Sequence, residues 1–161
     1  MSDIDLRSVM GEFATGVTAV TLNGDQPHGI TVNAFSSVSL DPPLVLVCLD
    51  HGTEAHDQLQ SGEADGYCVN ILAADQQILG EHFADMAEED IDPFEDHPTT
   101  TAETGAPVFS ESLGYVDCSI HEAVEAGDHT IYIGHVEAAE QLEDGDALTF
   151  FEGEWGTLGG E

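Results

Sequence analysis

The chain is 161 residues long and carries 33 Asp and Glu against a single Lys or Arg, a formal net charge of −32. That balance excludes nucleic-acid binding and docking on anionic membranes, since both depend on clustered Lys and Arg. With 41% apolar residues the sequence suits one ordered domain over 1–161, so the acidity points to a surface adapted to molar salt rather than to disorder.

Residues 3 to 14 are predicted to form a short amphipathic helix. Ser2 or Asp3 caps it, and Ile4, Leu6, Val9, Met10 and Phe13 make its apolar face. Thr15-Gly16 ends it. Val17 to Leu22 is rich in β-branched residues, Asn23-Gly24-Asp25 is a hairpin turn signal, and Gln26 to Val32 returns as a second strand.

The stretch that follows, within GITVNAFSSVSLDPPLVLVC (Gly29 to Cys48), concentrates three chemistries. Asn33 to Ser39 is rich in hydroxyl and amide groups, Asp41-Pro42-Pro43 is a stiff break, and Leu44 to Leu49 is a continuous apolar strand. A donor-rich segment pinned between strands can cradle a small ligand through hydroxyls and backbone N–H groups. The same composition also suits a hairpin corner whose Ser and Thr satisfy their own backbone. Spacing leaves both readings open.

Thr53 then caps a helix that runs to about Gln60, with Glu54 in its first turn. Gly66 to Leu72 is a strand that is apolar on both faces apart from Asn70. Ala74 to Phe83 is a second helix with Ile78, Leu79 and Phe83 inward, and 85–107 is an acidic loop without periodicity. The last third is β: Tyr115 to Val124, His129 to Ala138, Ala147 to Phe151 and Trp155 to Leu158. Six or more strands, short helices and no β-α-β rhythm predict a mainly β fold, an antiparallel barrel.

Cys48, Cys68 and Cys118 lie far apart in apolar contexts, as expected of free thiols in a reducing compartment. The amino terminus lacks the pattern of a signal peptide and no apolar run reaches membrane-spanning length, so a soluble, cytoplasmic protein is expected. No G-x-G-x-x-G or G-x-x-x-x-G-K-[ST] is present, and no G-x-S-x-G elbow. His129 and His135 share one face of a strand, with His121 nearby, yet six residues at ~3.3 Å each separate them by about 20 Å. No metal site is expected from them.

Four segments together resemble the flavin reductase family with the FMN-binding split-barrel fold, the reductase components of two-component flavin monooxygenases. They are RSVMGEFATGVTAVT (Arg7 to Thr21), the Gly29 to Cys48 stretch, YCVNIL with Gln76-Gln77 and Phe83-Ala84, and GDHTIYIGHV (Gly127 to Val136). The resemblance runs from Arg7 to about Leu158 and implies a homodimeric, six-stranded Greek-key split barrel. It implies FMN or FAD as cofactor and NADH or NADPH as co-substrate. By the same resemblance the flavin lies against Thr31, Asn33, Ala34, Ser36, Ser37, Val38 and Ser39, then Cys48, Leu49 and Asp50. Thr53 stands where the family holds the phosphate, Phe83 and Ala84 close the site, and His129 of the G-D-H motif faces the nicotinamide. One departure stands out: the phosphate motif reads Thr53-Glu54-Ala55, with an acid where the family often has Lys or Arg. The implied activity is hydride transfer from NAD(P)H to flavin, feeding a monooxygenase. A flavin-holding module without turnover and a related split-barrel oxidase are the alternatives.

Overall fold

The computed structural model describes residues 4–87 and 90–159. Helix α1 (Leu6–Met10) leads into strands β1 (Thr15–Gly16), β2 (Thr18–Leu22), β3 (His28–Val32), β4 (Phe35–Leu40) and β5 (Pro43–Asp50). Helix α2 (Glu54–Ser61), strand β6 (Gly66–Ile71), a 3-10 turn (Ala74–Gln76) and helix α3 (Gln77–Phe83) follow. Helix α4 (Pro93–Asp96) and the short strands β7 (Thr99–Thr101) and β8 (Pro107–Phe109) come next. The long strands β9 (Gly114–Ala126) and β10 (His129–Gln141) precede the closing hairpin, β11 (Ala147–Phe151) and β12 (Glu154–Leu158).

The main sheet runs β3-β2-β6-β9-β10-β5-β4, antiparallel at every step. It curls on itself. Val32 of β3 and Val45, Val47 and Leu49 of β5, far apart in strand order, share one core with Val20, Leu22, Tyr67, Val69, Cys118 and Tyr132. Seven strands appear where six were expected, because much of the Ser-rich segment is itself strand β4, hairpinned onto β5 through the Asp41-Pro42 turn. Phe35, Val38 and Leu40 supply β propensity there, and a register shift between Ser37 and Ser39 accommodates the extra residue.

β2 is buried on both faces, which places a second layer outside the barrel. Val17 and Ala19 pack there with Leu72, Leu79, Phe109 and Leu148, against Phe83, Phe94, Phe150 and Trp155. Asn70, wholly buried on β6, explains its own place in an apolar strand. Its Nδ2 donates to Ala19 O (3.0 Å), and its Oδ1 accepts from the Phe109 N–H (2.8 Å), pinning β8 to the barrel.

Part of the 85–107 segment is ordered by long-range contacts that no local periodicity announces. Pro93 starts α4, β7 pairs with β8, and buried Asp117 accepts hydrogen bonds from the backbone of Glu103 and Thr104 and from the Thr104 hydroxyl. At the amino terminus the helix is shorter than expected. Asp5, not Ser2 or Asp3, caps α1, and Ser2 and Asp3 lie outside the described residues. The Gly11 carbonyl accepts from the Glu152 N–H (2.9 Å) of the β11–β12 turn, and the helix stops there.

Candidate functional site

Where β3 leaves the sheet, Ile30 to Ala34 runs opposite the end of β5, and together they open a slot of about 330 Å³. Its apolar lining is the aliphatic Ile30, Ala84 and Met86 and the aromatic Phe150 and Trp155, while Val32, like Leu49, has its side chain in the barrel core. Thr31, Asn33, Asp50, Thr53 and His129 form the polar rim. A cavity of this size with a few convergent polar groups suits a planar heteroaromatic ligand, since apolar walls take the ring faces and polar groups meet its edge.

Each wall has a structural cause. Thr31 Oγ1 donates to the Gly80 carbonyl (2.6 Å), which ties β3 to α3 and brings Ala84 over the slot. The Cys48 N–H donates to the Ala34 carbonyl (3.1 Å), closing the corner where β3, β4 and β5 meet. The Leu49 side chain is buried in the barrel core, so this residue offers the slot its backbone. Burial raises the Cys48 thiol above its ordinary value, which keeps it neutral at physiological pH. It lines the slot as a small apolar group rather than a nucleophile.

Thr53 caps α2: its hydroxyl accepts from the His56 N–H (3.2 Å) and donates to the Asp50 carbonyl (2.8 Å). Ala55 is buried in the barrel core and offers no polar group. On β10, paired with Asp50 at the end of β5, His129 Nδ1 pairs with Asp128 Oδ1 at 2.7 Å, leaving Nε2 as the ring nitrogen available to a ligand. That hydrogen bond holds the Asp128 carboxyl below the usual range. Asp50, Asp128 and His129 bring one ligating atom each within 4.8 Å of one another, with both acids exposed. His135 pairs instead with Glu137 at 3.0 Å.

Thr31, Asn33, Ala34, Cys48, Leu49, Asp50, Thr53, Ala84 and His129, widely separated in sequence, thus meet around one slot. Phe83 does not line it. Its ring packs against both Phe94 and Phe109 and walls an adjoining cavity. Ser36 lines an apolar groove beside Met10, Phe13 and Phe35, while Ser37, Val38 and Ser39 lie on the β4 edge strand outside these cavities. Five lining residues escaped the sequence reading: Ile30, Val32, Met86, Phe150 and Trp155. A usable signal existed for the last, since Trp155 is the sole tryptophan, and it faces Phe150 across the closing hairpin with ring centroids 5.0 Å apart.

The residues fit a flavin. Most of the slot's lining is apolar, as the faces of a planar ring require, and Asp50 is its one carboxylate. Among the described residues no helix is long and apolar enough to cross a membrane.

Residues 10–159 match the flavin reductase like domain model. An NADH-dependent FAD reductase of Streptomyces globisporus is 38% identical over 152 residues, covering 93% of this chain and 82% of that protein. The structure of the flavin reductase PheA2 superposes with a TM-score of 0.88 at 37% identity, covering 99% of this chain and 100% of that one. BorF, the flavin reductase component of a bacterial two-component tryptophan halogenase, superposes with a TM-score of 0.86 at 39% identity, over 97% and 98% of the two chains.

Proposed function

Since the chain belongs to the flavin reductase-like domain family, we propose that it is an NADH-dependent flavin reductase supplying reduced flavin to an oxygenase. The observation that carries this reading is the slot itself, apolar on its faces and polar at its rim, built from the family's own segments. Bound flavin supplies the hydride-accepting chemistry, and NADH supplies the hydride.

The protein's part is positional. Ile30, Phe150 and Trp155 exclude water from the ring faces, and Thr31, Asn33 and the backbone at Leu49 meet its edge. Thr53 stands at the phosphate end. His129, oriented by Asp128, sits at the rim where a nicotinamide ring would stack. Ser36 to Ser39 offer the outward backbone N–H groups of an edge strand.

Exposed apolar side chains support a homodimer. Ile4, Leu6, Val9, Met10 and Phe13 all face outward around α1, beside the groove lined by Phe35, Leu46 and Phe150. A second copy covering this face would also bury Ser36 and the slot's near wall. The partner enzyme is a flavin-dependent monooxygenase or similar oxygenase. Three free cysteines accord with a cytoplasmic location.

The decisive assay follows NADH oxidation with and without added FMN or FAD, in molar KCl. Turnover should require the flavin; turnover independent of it overturns the reading, and tight flavin with no turnover identifies a holding module instead. Trp155 gives a second readout. Its emission should be strongly quenched as flavin fills the slot, and a titration that leaves it unchanged would place the flavin elsewhere.

A further inference from the structure

Helix α3 ends in a turn that fixes what stands at the wall of the slot. Asp85 takes a left-handed backbone conformation (φ 58°), its N–H donates to the His82 carbonyl (3.1 Å), and the Met86 N–H donates to the Glu81 carbonyl (2.8 Å). These are the two nested bonds of a Schellman stop, and aspartate is one of the few side chains that tolerates the left-handed region. The residue after the stop is thereby held in a set place at the start of the acidic segment. Here it is Met86, which lines the slot and keeps 52% of its surface exposed.

An exposed thioether at this place has a chemical consequence. Where NADH outruns the oxygenase, dioxygen takes two electrons and two protons from the reduced flavin, which yields hydrogen peroxide and oxidised flavin. The Met86 Sδ lone pair attacks one peroxide oxygen. An S–O bond forms as the O–O bond breaks, and the second oxygen leaves as water with both protons. The thioether is oxidised to the sulfoxide and the peroxide is reduced. The other sulfur in the lining is Cys48, and it is the poorer target. Peroxide reacts with thiolate, and burial raises the Cys48 thiol, so little thiolate is present at neutral pH. A thioether has no proton to lose first.

We propose that Met86 is an oxidation site through which the protein limits its own output of reduced flavin: uncoupled turnover converts it to the sulfoxide, and the polar sulfoxide weakens the slot's hold on the flavin. The inference rests on the flavin reductase reading and adds a modification site to it. The sulfoxide places a strong acceptor on a lining that otherwise offers Ile30, Ala84, Phe150 and Trp155 to a planar ring, and sulfoxide reductases reverse it.

Met10 supplies an internal reference, being exposed to nearly the same extent (54%) yet lining the groove beside α1 and not the slot. Peptide mass spectrometry compares the sulfoxide at both residues after two treatments in molar KCl: peroxide added to the resting protein, and turnover with NADH, FAD and air. The ratio of Met86 to Met10 oxidation should be several-fold higher after turnover. Comparing the ratio across treatments removes any shielding of Met10 by a second copy. A ratio equal in the two treatments overturns the proposal. For the consequence, peroxide treatment of the native chain should raise the flavin dissociation constant about tenfold, and methionine sulfoxide reductase should restore it. Met86→Leu, measured against its own untreated sample, should show no such rise, and an equal rise in the variant overturns the regulatory role. Absence of NADH turnover from the outset is a different result, which overturns the reductase reading and this proposal with it.

Discussion

Raising KCl from about 0.05 M to about 3 M should raise Tm by roughly 10 °C or more, because the screening length falls from about 14 Å to about 2 Å. The driving quantity is a net charge of −32 on a 17.1 kDa chain, whose self-repulsion opposes any compact state at low salt. One contact shows the conflict locally. Glu12 follows α1 and meets Glu152 in the β11–β12 turn, and a hydrogen bond between their carboxyl groups raises the Glu152 pKa. Because that folded value is raised, the stabilisation is fully present below the ordinary glutamate range and is lost as pH rises through the raised value. At neutral pH the two carboxylates repel beside the Glu152 N–H to Gly11 carbonyl bond that anchors this segment. Salt should therefore stabilise most at neutral pH and least near pH 4. The same screening should favour the proposed homodimer, since two copies would bring their charges together. Scanning calorimetry across the salt series checks the first effect and sedimentation velocity the second. A Tm unchanged between dilute buffer and molar KCl would sink the argument.

Asn70→Leu should cost about 3–4 kcal/mol and lower Tm by roughly 10 °C, although the volume change is small. The side chain is wholly buried and serves two strands at once, accepting from the Phe109 N–H and donating to the Ala19 carbonyl. A weaker bond reaches the Pro107 carbonyl at 3.5 Å. Leucine would leave a buried N–H on β8 and a buried carbonyl on β2 without these partners. The effect should extend to ligand binding. Phe109 packs against Phe83 and stacks on Phe94, the walls of the cavity beside the slot, so loosening β8 loosens them. Urea unfolding with flavin titration measures both. A variant within about 1 kcal/mol of the native chain would show that water or relaxation replaces the lost partners.

Much of this protein is written locally. The Thr53 cap, the turns at Asn23-Gly24 and Gly127-Asp128, and the alternation that buries Thr130, Tyr132 and Gly134 all follow from neighbouring residues. So does the acidity, which needs no fold to be read. The motif segments identified the family because they carry residue types in a fixed order.

Only the tertiary structure decided what those segments build together. The slot forms because the sheet curls and carries the ends of β3 and β5 to the start of β10, and because the closing hairpin lays Phe150 and Trp155 against them. No periodicity marks a residue whose partner lies more than a hundred positions away. For the same reason the sequence did not show that Phe83 packs against Phe94 and Phe109 and lines the cavity beside the slot. Sequence alone showed that a phosphate would meet almost no positive charge. The fold showed where His28 and His82 stand: in the cavity beside the slot that Thr53 and Glu54 also line.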